Sequence, residues 1–79
     1  MLKLKIVSPE KIVFQGEVEN VTVPGTLGSF EILTDHAPII SSLEEGAVEY
    51  TTQEGRKQMD IKGGFVEVKK NEVNLCVEV

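Results

Sequence analysis

The sequence predicts an all-β domain, an antiparallel sandwich or barrel of short strands. Apolar and polar residues alternate with a period of two through most of the chain, the signature of half-buried strands. The alternating runs are cut by turn-forming pairs, Pro24-Gly25, Gly63-Gly64 and Lys70-Asn71 among them. No stretch of ten residues holds a helical period. Many short strands punctuated by Gly, Pro and Asn belong to sandwiches and barrels rather than to α/β folds.

Met1–Ser8 opens the chain with Leu2, Leu4 and Ile6 on one face and Lys3 and Lys5 on the other. Pro9 stops that strand and Pro9-Glu10 starts a turn. Ile12–Phe14 reads as a short second strand ending at Gly16, and Glu17–Val23 as a third. The apolar frame shifts between Val18 and Val21, which places a bulge near Asn20. Pro24-Gly25 is expected to close the strand.

Beyond Ser42, Leu43-Glu44-Glu45-Gly46 reads as a turn into Ala47–Thr52, where Val48, Tyr50 and Thr52 share a face. Gln53–Arg56 is a hairpin turn with Gly55 suited to positive φ. Lys57–Lys62 returns with Met59 and Ile61 inside. Gly63-Gly64 reads as a bend where two sheets meet, and Phe65, Val66 and Val68 resume the pattern. The last strand sets Val73, Leu75, Val77 and Val79 against Asn74, Cys76 and Glu78.

Seventy-nine residues make a single domain, 1–79, with no repeat or linker. A chain of this size buries only roughly 60–65% of its unfolded surface and has little material left for a deep cleft. Eight basic residues face 13 acidic ones, a net charge of −5, which disfavours nucleic acid and anionic membrane as direct partners. No apolar run approaches the ~20 residues of a membrane span. The single cysteine, Cys76, excludes an internal disulfide and fits a reducing compartment. One Cys and one His do not assemble a Cys/His zinc site.

The stretch Val21–Ser42, VTVPGTLGSFEILTDHAPIISS, concentrates the irregular sequence: two of three prolines and the only histidine. Asp35-His36 is the one pair suggestive of acid–base work. No nucleophile accompanies it, and neighbours on a strand face opposite ways. Gly25 and Gly28 lack the following helix that a phosphate loop needs, because Ser29–Leu33 reads as strand. Glu44-Glu45 reads as solvated surface, and nothing near Cys76 in sequence activates its thiol. The expectation is no catalytic residue, no cofactor and no metal. What remains is apolar: Leu27, Phe30 and Ala37-Pro38-Ile39-Ile40, either tucked under the sheets or pressed on a partner.

These residues resemble a known family. Val21–Leu33, with His36-Ala37-Pro38-Ile39-Ile40, is similar to the epsilon subunit of bacterial F-type ATP synthases, called delta in mitochondria. Leu43-Glu-Glu-Gly46, Gly63-Gly-Phe-Val-Glu-Val68, Ile6–Glu10 and Phe14–Val18 match further family motifs in order and spacing, so the likeness spans essentially the whole chain. It implies a flattened β-sandwich of about ten short strands. It also implies a non-catalytic rotor role: binding the gamma subunit and the polar loops of the membrane c-ring, and helping couple ion-driven rotation to ATP synthesis at the alpha/beta hexamer. The implied location is the cytoplasmic face of the bacterial inner membrane, peripheral, within the complex.

By the same resemblance Ser29, Phe30 and Glu31 match the loop approaching the c-ring. His36, Ile39, Ile40, Ser41 and Ser42 match the part facing gamma, with Ser8 toward it. The chain departs from the family at Glu31, where Gly is usual, and at Thr34-Asp35, where Pro-Gly is usual, so the loop shape is expected to differ there. Most members continue into a helical hairpin. This sequence ends at Val79, and the expectation is a sandwich domain with the hairpin absent. The competing reading is a biotinyl or lipoyl carrier domain, but neither Lys57 nor Lys70 has the required flanking residues. A generic interaction module is the blander alternative.

Overall fold

The computed structural model describes every residue, Met1–Val79, and contains strands and turns only. There are nine strands rather than about ten: β1 (Leu2–Val7), β2 (Ile12–Val18), β3 (Asn20–Gly25), β4 (Gly28–Ile32), β5 (Ile39–Leu43), β6 (Gly46–Thr52), β7 (Gly55–Ile61), β8 (Gly63–Lys69) and β9 (Glu72–Glu78). Hydrogen bonds join them into one curled sheet, β2-β1-β9-β8-β5-β3-β6-β7, with β4 on the other side of β3.

The β5–β3 join is a single residue pair, Gly25 with Leu43. There the sheet folds over into two layers, β2-β1-β9-β8-β5 and β4-β3-β6-β7. Overall extents of 26 × 24 × 18 Å are those of a flattened sandwich. Sixteen buried side chains fill it, all apolar apart from the Tyr50 hydroxyl. They come from alternate positions, as in Leu2, Leu4 and Ile6 of β1 or Val73, Leu75 and Val77 of β9.

Several expectations shift. Gly16 lies inside β2, which continues to Val18, and the break in frame falls at Glu19, one residue before the bulge expected near Asn20. Pro24-Gly25 belongs to β3, and the turn is Thr26-Leu27. β3 pairs with β6 only through Thr22 and meets β5 at Gly25. Pro24, with no N–H to donate, falls between those two ladders, where that edge of the strand changes partners.

Not every pairing is antiparallel. β1 runs parallel to β9, Lys3 opposite Glu72 through Val7 opposite Cys76, so the first and last strands lie side by side. A pairing between the chain's two ends leaves no local turn signal. The Gly63-Gly64 bend is where the chain crosses from β7 in one layer to β8 in the other, and Gly64 takes φ 145°. A Cβ on Gly64 would lie 2.1 Å from the Cys76 carbonyl oxygen, so only glycine fits. Val79, read as inward, lies past β9 and is exposed.

Candidate docking surface

Residues paired across a ladder share a face. Following the registers on the outer side of the first layer gives Ser42 of β5 opposite Phe65 of β8, Phe65 opposite Cys76 of β9, and Cys76 opposite Val7 of β1. Across a bulge, Val7 meets Ile12 of β2. At ~4.8 Å per strand this row crosses the layer for about 19 Å. Phe65 is 48% exposed and Ile12 54%. A shallow groove of about 410 Å³ lies along it, walled by Val7, Ser8, Pro9, Phe65, Cys76 and Val77.

The next row is mixed: Ile40, Glu67, Asn74, Lys5 and Gln15, with Ile40 73% exposed and diagonal to Phe65. The third is charged throughout: Lys69, Glu72, Lys3 and Glu17. The outer face therefore grades from apolar at the Gly64 end to ionic at the Lys70-Asn71 end. That gradient gives one end of the face hydrophobic contact area and the other a charged rim.

The loop from β4 to β5 lies at the charged end. Its turn is closed by the His36 N–H donating to the Leu33 carbonyl at 3.1 Å, with Asp35 at φ 64°. Positive φ at the third turn position is the type II pattern, which favours glycine there. The Asp35 carboxylate does not orient His36. Its Oδ1 accepts from Asn71 Nδ2 at 3.2 Å, while the Asp35 N–H donates to Asn71 Oδ1 at 2.6 Å. The His36 ring instead lies with Nδ1 2.8 Å from the Ala37 carbonyl oxygen. Nothing in this geometry builds an acid–base pair.

The residues matched to the c-ring side form β4. Ser29 and Glu31 are exposed, whereas Phe30 turns inward, packs on the core and approaches Gly25 so closely that a Cβ there would lie 2.9 Å from Phe30 Cε1. Phe30 thus fixes the β3–β4 hairpin, and Leu27 at the hairpin tip is fully exposed. Thr26 beside it ties the hairpin to β5, its Oγ1 3.1 Å from Ser42 Oγ.

The residues matched to the gamma side spread along one layer. Ile40 and Ser42 point outward from β5, and Ile39 packs against the core with Ser41 half-buried beside it. Ser8 lies three strands from Ser42 at the apolar end, and His36 lies at the charged end. Phe65, Val7 and Ile12 were not singled out from sequence, although Phe65 shares its frame with Glu67 and Lys69. That parity was the available signal for an outward aromatic.

The model of the "ATP synthase, Delta/Epsilon chain, beta-sandwich domain" family matches residues 1–79. The chain belongs to this family. The ATP synthase epsilon chain of Leptospira interrogans is 42% identical to this delta/epsilon domain over 77 residues, 98% of this chain and 61% of that one. That of Desulfitobacterium hafniense is 43% identical over 75 residues, 95% and 57% of the two chains. The delta/epsilon domain here thus spans about 60% of the length of such relatives.

Two solved structures share the fold. One is a chain of the Euglena gracilis mitochondrial ATP synthase, described as OSCP/F1/c-ring in rotational state 1, with TM-score 0.89 at 23% identity over 96% of this chain and 49% of that one. The other is from the Tetrahymena thermophila mitochondrial ATP synthase central stalk/c-ring, with TM-score 0.83 at 15% identity over 99% and 63%.

Proposed function

We propose that this domain is a non-catalytic rotor module of an F-type ATP synthase, docking on the gamma subunit and on the polar loops of the c-ring. It helps couple ion-driven rotation to ATP synthesis at the alpha/beta hexamer, and it works on the cytoplasmic face of a bacterial inner membrane, held there through the complex. The family supports the assembly, and the outward row Ser42–Phe65–Cys76–Val7–Ile12 is the single structural observation that carries the docking reading. An apolar row on a stiff two-layer block suits a part that transmits torque without deforming.

Gamma takes the outer face of the first layer, with Phe65 and Ile40 as anchors and Ser8, His36 and Ser42 around them. Ile39 and Ser41 support β5 from beneath. The c-ring takes the β3–β4 hairpin through Leu27, Ser29 and Glu31, which Phe30 holds in place.

Co-purification tests this. A tagged 79-residue chain expressed with gamma is expected to elute as a 1:1 complex, and Phe65→Glu is expected to abolish it while leaving the β circular dichroism spectrum intact. Failure of the unaltered chain to retain gamma overturns the reading.

A further inference from the structure

We propose that Asn71 is a positioning residue for the docking face: its side chain holds Asp35 in the left-handed conformation and so sets the place of His36 at the rim. The inference rests on the gamma-docking reading for its functional half. Its structural half stands on the hydrogen bonds alone.

Asp35 is an L-residue in a turn position that favours glycine, and its φ of 64° is costly without support. Support arrives from 36 residues away. Asn71 accepts the Asp35 N–H and donates to the Asp35 carboxylate, a reciprocal pair at 2.6 and 3.2 Å. Asn71 is itself fixed on both sides. With Lys70 at φ 53° and Asn71 at φ 62°, it forms the two-residue type I′ tip between β8 and β9. Its carbonyl accepts the Lys3 N–H at 2.9 Å, tying the tip to β1.

The β4–β5 loop is thereby anchored to three strands of the docking layer rather than only to the two it connects. His36 follows Asp35 directly, and its N–H closes the same turn. Loss of the Asn71 side chain frees Asp35 to leave the left-handed region, and the turn that places His36 opens with it.

Asn71→Gly is the informative variant, because glycine suits the I′ tip and removes only the side chain. In the 79-residue chain, amide exchange at Asp35 and His36 is expected to accelerate at least about fivefold, with the Val66 and Val73 amides unchanged as internal controls. The exchanged pair Asp35→Asn with Asn71→Asp preserves both hydrogen bonds and is expected to restore slow exchange. Affinity for purified gamma is expected to fall at least about threefold in Asn71→Gly and to recover in the exchanged pair. Unchanged exchange at Asp35 and His36 overturns the proposal. So does faster exchange with undiminished gamma affinity, provided Phe65→Glu abolishes binding in parallel. Should Phe65→Glu also bind normally, the docking reading fails instead, and the clasp stands or falls on exchange alone.

Discussion

Phe14 of β2 and Tyr50 of β6 pack ring on ring across the two layers, centroids 4.7 Å apart and planes tilted by 46°. The layers share a backbone hinge at Gly25–Leu43, on the opposite side of the sandwich, so this aromatic pair closes the side that hydrogen bonds leave open. Tilted pairs at this separation contribute beyond their buried area, by about 0.5–1.5 kcal/mol.

Removing the closure is expected to cost a large share of a small domain's stability. Phe14→Ala, at a half-buried site, should lower the unfolding free energy by about 2–3 kcal/mol, and Tyr50→Ala by about 3–5 kcal/mol. Urea titration followed by circular dichroism measures both. A double substitution whose effect is smaller than the sum identifies the ring–ring contact as shared.

Tyr50 also predicts a response to alkali. Burial pushes its hydroxyl above the ordinary tyrosine value of 10.0. Between the unfolded and folded values the unfolded chain releases a proton that the folded chain keeps, so stability is intact below pH about 10 and declines as pH rises through the folded value. Tyr50→Phe is expected to remove that component. Comparing denaturant midpoints of the two proteins between about pH 9 and pH 11 shows it as a shallower alkaline decline in the variant.

Two glycines with positive φ should respond very differently to alanine. At Gly55, φ 120°, no atom lies within 4 Å of an added Cβ, so the cost is conformational strain alone, about 1–2 kcal/mol. At Gly64 the same methyl meets the Cys76 carbonyl and the Val77 Cα, backbone that cannot move without parting β8 from β9. Gly64→Ala is expected to leave the chain unfolded or aggregated at room temperature, Gly55→Ala folded with a lower melting temperature.

At the hairpin tip, Leu27→Asp is expected to change stability by less than about 0.5 kcal/mol, since Leu27 touches no core residue in its fully exposed position. If the hairpin meets the c-ring, the same variant weakens retention of the domain on c-ring-containing membranes without weakening gamma binding. Sedimentation with such membranes separates the two effects.

The strands were legible wherever one face is buried and the other wet. β1 and β9 follow their alternation closely, because burial selects Leu2, Leu4 and Ile6 or Val73, Leu75 and Val77 against charged neighbours. Long-range facts were not legible. The parallel β1–β9 pairing depends on the whole path of the chain, and the place of Pro24 inside β3 depends on that strand changing partners. Phe65 and Val66 are adjacent apolar residues that cannot share a face, and strict alternation places Phe65 with Glu67 and Lys69 outside. The turn at Asp35 keeps a positive φ despite lacking glycine, through an asparagine 36 residues later that no local pattern announces.

Cys76 offers the most direct measurement of the docking claim. It is the only cysteine, it lies half-buried beside Phe65 and Val7 in the outward row, and a thiol reagent therefore reports on that face alone. With a cysteine-free gamma subunit at saturating concentration, the alkylation rate at Cys76 is expected to fall at least about tenfold. A complex that forms while Cys76 reacts at its free rate would contradict the assignment of this face to gamma.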